Sequence, residues 1–498
     1  MFLTFSGVSF AYRNAVTPIL DDLSFSLPNG WTGVIGANGQ GKTTLMRLAA
    51  GELTPVSGAI QLPGHALYCA QATEKPPALL SDFSQDWGAD ASRLRSILQI
   101  DDDWPWRFDS LSHGERKRLQ LAVALWHRPY VLAIDEPTNH LDIEARSWVT
   151  QALEDYEGIG LLVSHDRSLL DALVGQCVVL EHGGAALRSG NYTEVHERID
   201  QERLAAHRYR RNAKQELSRL TQEATRRRTE ADRDQSKRSR RRIDPKDHDA
   251  KAKIGFAILT GKDGHAGRLS SQMKGRLARA QERLAETRVD RETRADIWID
   301  GEHSARAILA ELGPARLPLG GTRVLEVPYL TIGPKDRIAV VGPNGVGKTT
   351  LLNSLISCLR LECDRVLLVP QELSQVQAAD EIRELKLLDS ASRGLALSIV
   401  ARLGSAPDRL LDGETPSPGE LRKLMIARGV RSGPHLLVLD EPTNHMDLLA
   451  TEALEEALAA YSGALLLVSH DPRFIERLTD VTWEIRRSTD GDSVLHIR

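Results

Sequence analysis

The chain repeats itself at a fixed distance, and this limits its fold more than any other feature. The segment GANGQGKTT at 36–44 returns as GPNGVGKTT at 342–350, and IDEPTNHLD at 134–142 returns as LDEPTNHMD at 439–447. LVSHD at 162–166 returns at 467–471. The offsets are 306, 305 and 305 residues. Three matches in near-constant register require two copies of one domain. Each copy carries short apolar runs, such as TGVIG, YVLAID and GLLVSH, followed by a Gly-rich or polar turn and then a helical pattern. Strands alternating with helices predict an α/β fold with a mainly parallel sheet. About 200 residues per copy suffice for a separate core.

Between the copies the composition changes. Residues 201–290 hold 25 Lys and Arg against 13 Asp and Glu, a net of +12. The whole chain of 498 residues is formally −4, so the remainder carries −16. A near-neutral total hides a basic insert between two acidic domains. Apolar residues recur at Ala206, Tyr209, Ala213, Leu217, Leu220 and Ala224, and again at Leu269, Met273, Leu277, Ala280 and Leu284. Steps of three and four residues make narrow helical seams. The stretch between them, about 236–267, holds Pro245, Gly255, Gly261, Gly264 and Gly267. The pattern predicts a long antiparallel helical hairpin with an irregular basic tip, each helix reaching on the order of 50 Å. The expected division is a first domain over 1–198, a linker over 199–290 and a second domain over 291–498.

No run of 18 apolar residues occurs, which predicts that no helix crosses a membrane. The start, MFLTFSGVSFAYRN, lacks a basic segment before an apolar core, so no secretory signal is expected. Four cysteines, Cys69, Cys177, Cys358 and Cys363, are too few and too scattered for a disulfide framework, and no zinc is expected. Reduced thiols suit the cytoplasm.

The repeated segments carry chemistry. Gly36 to Thr43 and Gly342 to Thr349 both fit G-x4-G-K-[ST]. Glycines let successive backbone N–H groups turn inward around phosphate oxygens, and the next helix presents its positive end to the anion. The expected ATP contacts are Gly36, Asn38, Gly39, Gly41, Lys42, Thr43 and Thr44 in one copy. In the other they are Gly342, Asn344, Gly345, Gly347, Lys348, Thr349 and Thr350. Lys42 and Lys348 suit the β/γ-phosphates, and Thr43 and Thr349 suit Mg²⁺. Asp135 and Asp440 each end an apolar strand and can hold Mg²⁺ through water. The next residues, Glu136 and Glu441, can orient or deprotonate an attacking water.

The order of phosphate loop, Gln, Ser-x-Gly-Glu, Asp-Glu and Ser-His-Asp resembles an ATP-binding cassette, twice over. The resemblance implies that Gln71 and Gln371 sense the γ-phosphate and metal. It implies that Ser112-His113-Gly114-Glu115 and Ser417-Pro418-Gly419-Glu420 are signatures contacting ATP, and that Asp142 and Asp447 lie in the dimer-interface loop. His165 and His470 match the switch histidine and join the glutamates as catalytic candidates. Tyr12, 24 residues before Gly36, matches the aromatic that stacks on adenine; the corresponding position in the second copy is Pro318. In the family each signature caps the ATP held by the opposite copy, so the chain is expected to work as a monomer with an internal cassette dimer. Leu111 leads the first signature, whereas Pro416 leads the second, and Pro418 follows its serine. Proline removes a backbone donor, so the site on the first phosphate loop is expected to be the weaker.

Two cassettes, DEPTNH in both, and a charged helical linker are similar to the ABC-F family of cytoplasmic, ribosome-acting ATPases. That likeness implies ATP and Mg²⁺ as cofactors, the ribosome and tRNA as partners, and a role as translation factor or antibiotic-resistance factor. It also implies that the linker reaches toward the tRNA in the peptidyl site. Lys237, Arg238, Arg240, Arg241 and Arg242 are the expected RNA contacts, since local positive charge near a tip suits phosphates. Only Tyr209 and Phe256 are aromatic in the insert, which argues for shape recognition of folded RNA over base stacking. The competing reading is the ATPase subunit of a membrane transporter. It would place a full helical subdomain between Gln and signature, yet only 41 residues separate Gln71 from Ser112, too few also for the extra arm some ABC-F proteins carry. A DNA-repair cassette would need zinc-binding Cys pairs or far longer coiled coils.

Overall fold

In the computed structural model the structure describes residues 1–13, 17–139, 141–237, 263–286, 303–321, 323–371, 375–405, 416–429, 432–444, 446–488 and 491–498. The chain divides into two compact units, Met1–Val195 with Thr293–Arg498, and His196–Glu292. The first unit contains both sequence copies.

Each copy is built on the same sheet. In the first, the spatial order is Ala66–Cys69, Val131–Asp135, Ile159–Val163, Gly30–Ile35, Val174–Glu181 and Gly184–Ser189. All neighbours pair in parallel except the last two, which form a hairpin. In the second, Val366–Val369, Leu436–Asp440, Ala464–Val468, Arg337–Val341, Val481–Arg487 and Ser493–Ile497 follow the same order. Central strands such as VLAID, IGLLV and LLVLD are buried at every position, as a sheet covered on both faces requires. The copies diverge at one edge. Ser493–Ile497 pairs in parallel with Val324–Val327, so that sheet runs on to Ala315–Pro318 and has eight strands. In the first copy Leu3–Phe10 pairs instead with Leu20–Leu27 and Ser57–Gln61 in a separate antiparallel sheet.

The second unit contains two helices. Tyr192–Lys237, which begins in the first unit, has 46 residues, about 69 Å at 1.5 Å per residue. Asp263–Glu286 has 24. Leu217, Leu220 and Ala224 of one helix pack with Met273, Leu277 and Ala280 of the other, as the seams require. Two readings need correction. Tyr209 is 54% exposed and stands outside the seam. Gly264 and Gly267 lie inside the second helix instead of in an irregular tip; a helix tolerates glycine at roughly 1 kcal/mol each relative to alanine. Arg238, Arg240, Arg241, Arg242, Pro245, Gly255, Phe256 and Gly261 lie outside the described residues. Among the described residues no helix is long and apolar enough to cross a membrane.

Within the first unit, the copies are joined by a buried charge cluster. Arg167 is 7% exposed; its Nη2 donates to Glu455 Oε2 at 2.7 Å and to Asp471 Oδ2 at 3.3 Å. Arg477 Nη1 donates to Glu455 Oε1 at 2.9 Å. Beside them Tyr192 OH donates to Glu452 Oε1 at 2.8 Å, and Arg473 donates to Asp171 and to Thr193 Oγ1. The cluster breaks the internal symmetry: Pro472 stands 305 residues after Arg167, and Thr150 stands 305 before Glu455. Removing one partner of a buried ion pair costs about 3–5 kcal/mol, because the other charge stays buried. We expect Arg167→Ala to weaken the association of the two copies roughly a hundredfold, read as the separation of two fluorophores placed one on each copy. Unchanged separation would contradict this.

Candidate functional site

Both phosphate loops fold as cradles. Gly41 and Gly347, with φ of 91° and 106°, cap the helices Lys42–Ala49 and Lys348–Ser357 in the left-handed region that favours glycine. A Cβ on Gly36 would stand 2.8 Å from Leu180 O, and one on Gly342 2.5 Å from Ile485 O, so neither position admits a side chain. Gly39 and Gly345 also have positive φ. Lys42 Nζ donates to Gly36 O at 2.7 Å and Ala37 O at 3.2 Å, and Lys348 Nζ to Gly342 O at 2.7 Å and Pro343 O at 3.3 Å. Burial lowers the pKa of both lysines.

The acidic pairs sit opposite. Thr43 Oγ1 donates to Asp135 Oδ2 at 2.8 Å, and Thr349 Oγ1 to Asp440 Oδ2 at 3.4 Å. Glu136 and Glu441 are 6% and 4% exposed and share a positive φ, 51° and 48°. Non-glycine residues rarely adopt that backbone, and it marks stored strain in both copies at one position. Burial, aided by Asp135, pushes Glu136 up to about 8, and burial pushes Glu441 up to about 7. His165 Nε2 lies 3.2 Å from Glu136 Oε1, and His470 Nε2 3.3 Å from Glu441 Oε1. Burial, with Lys348 nearby, drives His470 down to about 3, so it is neutral here.

Each cradle is finished by the other copy. Asp447 Oδ2 accepts from Asn38 N at 3.1 Å, and Asp142 Oδ2 accepts from Asn344 N at 3.2 Å. A cavity of about 310 Å³ holds Lys42, Thr43, Gln71, Asp135, Glu136 and His165 together with Ser417 and Gly419 from the other copy. Both signatures are helix caps: Ser112 and Glu115 form a reciprocal capping box, and so do Ser417 and Glu420. Gly114 follows in the first turn of His113–Trp126. Pro418 opens the helix Pro418–Gly429, at the position where a missing N–H has no helical partner to lose. The second signature therefore keeps its helical form and the Gly419 N–H; the donors lost are those of Pro416 and Pro418. Tyr12 is 42% exposed and its OH lies 3.3 Å from Thr44 Oγ1, at the flank of the first phosphate helix. Thr350 lies in the first turn of the second. Gln371 offers its backbone carbonyl to Arg422. Lys237 ends its helix, and the other expected RNA contacts are outside the described residues.

Sequence reasoning missed four contributors. Tyr68 OH donates to Asp135 Oδ2 at 3.1 Å. Arg146 Nη1 reaches across to His470 O at 3.1 Å. Lys117 and Arg422 are buried behind the signatures. The signature repeats do place a basic residue at both of the last two positions, which was the available signal.

Inward backbone donors, a buried ammonium, and a hydroxyl beside a carboxylate fit a nucleoside triphosphate with Mg²⁺, a hard cation that takes oxygen ligands. Fold and site together define a tandem ATP-binding cassette protein. The family model described as "ABC transporter" matches residues 20–139 and 325–444. Among curated proteins, the tylosin resistance ATP-binding protein TlrC of Streptomyces fradiae is 30% identical, with 97% of each chain covered. The ribosome protection protein VmlR of Bacillus subtilis is 29% identical over 96% of this chain and 85% of that one. The energy-dependent translational throttle protein EttA of Escherichia coli K12 is 27% identical, over 92% and 88%. An archaeal ribosome recycling factor, aABCE1, solved with the stalk protein aP1, superposes with a TM-score of 0.63 at 18% identity over 98% and 89%, a likeness of fold. The chain belongs to the ABC-F family, whose cassettes are ATPases in general.

The raised carboxyl pKa values make a stability prediction. A folded-state value above the ordinary one means that folding resists ionisation of that group. The penalty is absent below about pH 4.5 and fully developed above about pH 8. Glu136→Gln with Glu441→Gln removes it, at about 1.4 kcal/mol per pKa unit. We expect the double variant without nucleotide to melt several degrees higher than the wild type at pH 9, and by much less at pH 5. Equal gains at both pH values would contradict the assignment.

Proposed function

We propose that this chain binds and hydrolyses ATP at two sites, each shared between its copies, and uses the resulting closure to act on ribosomes. The observation that carries the reading is reciprocal. Each phosphate loop donates a backbone N–H to the aspartate of the other copy, and the first loop shares its cavity with Ser417 and Gly419. Lys42 and Lys348 hold phosphate oxygens, with the backbone of Gly36, Asn38, Gly39 and Gly41 or of Gly342, Asn344, Gly345 and Gly347 around them. Bound Mg²⁺, held by Thr43, Gln71 and Asp135 or by Thr349, Gln371 and Asp440, would neutralise phosphate charge. Glu136 and Glu441 orient water and accept its proton; a carboxylate lifted toward neutral pH is matched to that task. His165 and His470 steady those glutamates from 3.2 and 3.3 Å. Tyr12 offers its face to the adenine of the first site. One site pairs Lys42 with Ser417, and the other pairs Lys348 with Ser112. Ser112→Arg and Lys348→Ala should therefore abolish nucleotide trapping at the same site. Loss at different sites would refute the pairing.

The ribosome enters from two sides. Relatives covering nearly the whole chain are named for ribosome protection and translational throttling. The linker concentrates +12 of charge in a chain otherwise at −16, which suits a phosphate-rich partner such as rRNA or tRNA. The protein then works in the cytoplasm as a single chain, either as a translation factor or as a drug-resistance factor. The test is sucrose-gradient sedimentation of the Glu136→Gln/Glu441→Gln variant with ribosomes and Mg-ATP. Closure draws on ATP contacts and not on hydrolysis, so this variant should remain on ribosomes and inhibit translation. Replacing Arg238, Arg240, Arg241 and Arg242 by Gln should weaken that association and flatten its log–log salt dependence by up to about 0.7–0.9 per lost phosphate contact. Comigration with membranes, and none with ribosomes, would favour a transporter subunit.

A further inference from the structure

Of the buried cations in the helices that follow the signatures, Lys117 and Arg422 take no part in the chemistry described above. Lys117, in the helix His113–Trp126, is 2% exposed; its Nζ donates to Ala70 O at 2.7 Å and to Asp135 O at 3.1 Å. Arg422, in Pro418–Gly429, is 4% exposed; Nη1 donates to Asn444 O at 2.5 Å and Nη2 to Gln371 O. A position needed only for packing would hold an apolar residue, since desolvating a cation is costly. The acceptors are also telling. Ala70 precedes Gln71, Asp135 precedes Glu136, and Gln371 is itself the expected γ-phosphate sensor.

We propose that Lys117 and Arg422 are positioning residues that couple the two ATP sites. The inference rests on the composite-site reading. On that reading Ser112 and Gly114, at the start of the helix His113–Trp126, cap the nucleotide on the second phosphate loop. Five residues along, about 7.5 Å, Lys117 grips the carbonyls of Ala70 and Asp135, which belong to the first site. Nucleotide that draws Gln71 and Asp135 inward at the first site thus re-aims the cap of the second. Arg422 makes the reverse link from Gln371 to the helix that caps the first site. Asn444 also lies on the loop leading to Asp447, whose carboxylate receives Asn38 N. Both connections run through backbone carbonyls, so they carry displacement of the loops and not merely field.

The test is steady-state hydrolysis by the full chain across Mg-ATP concentrations, comparing wild type, Lys117→Met, Arg422→Met and Lys117→Arg. Two coupled sites give a Hill coefficient well above 1 and at most 2. Lys117→Met and Arg422→Met should bring it to about 1 and raise the half-saturating ATP concentration roughly tenfold. Lys117→Arg, which keeps a charged donor, should restore cooperativity. A purely structural role would lower the fraction of active protein and scale the rate without changing the Hill coefficient; that result overturns the proposal, as does a wild type that is not cooperative. If Lys117→Met yields no soluble protein, Lys117→Gln retains a donor for one carbonyl and should give an intermediate coefficient. A wild-type coefficient there is equally decisive against the coupling. Failure of the composite reading itself is separate: Ser112→Arg and Lys348→Ala would then disable different sites.

Discussion

The arrangement depends on one carboxylate used twice in each copy. Asp142 Oδ1 caps the helix Ile143–Glu154 through Ala145 N at 3.0 Å, while its Oδ2 takes Asn344 N of the other copy. Asp447 does the same, with Oδ1 on Ala450 N at 2.8 Å and Oδ2 on Asn38 N. A capping aspartate is fixed in rotamer and backbone by its helix. Its second oxygen therefore offers the opposite phosphate loop a placed acceptor and not a mobile one. The loop N–H that donates to it cannot turn freely, so the geometry of one cradle is set partly by a helix in the other copy. This makes the two sites parts of one structure, and no isolated copy holds a finished cradle.

That symmetry is local. Away from the phosphate loops the copies have been furnished differently. Asp135 has a phenol on it, Tyr68; the strand position matching it by the two glutamines is Leu368. Lys117 and Arg422 occupy matching positions of the two copies, 305 residues apart, and reach different carbonyls. The His165 side chain is 27% exposed and that of His470 8%, so the second histidine is the drier. In a drier place a charged partner counts for more and an unpaired one costs more. The same residue types thus stand in unequal surroundings in the two copies, and the prolines around Ser417 add to that difference.

What could be read in the sequence follows the same division. The phosphate loops, the Asp–Glu pairs and the capped signatures were legible because backbone chemistry demands particular residues at short fixed spacings. Gly36, Gly41, Lys42 and Thr43 lie within eight positions of each other, and their counterparts repeat them. The Arg167–Glu455 pair and the Arg146 contact with His470 O span 288 and 324 residues and obey no spacing rule. Tyr68 lies 67 residues before Asp135, and no local motif joins the two. In the hairpin the seam was legible from Leu217 to Ala224. Tyr209 was misassigned because an amphipathic ring can sit on either side of a narrow stripe, and the pattern does not choose. Gly264 and Gly267 looked like breakers, yet helical context overrides a cost that small.

The charge distribution limits how nucleotide state and linker can communicate. The screening length in physiological salt is about 8 Å, whereas the helix Tyr192–Lys237 spans about 69 Å. A charge at residue 237 is thus invisible to the residues around Tyr192 by field alone. A signal carried by this helix passes along its backbone from the first turn. That turn is held where the two copies meet, by Tyr192 on Glu452 and by Thr193 on Asp171 and Arg473. Of these partners, Glu452 and Arg473 belong to the second copy and Asp171 to the first. The root of the helix therefore takes its orientation from both copies at once, and a change in their spacing must either turn that root or break those bonds.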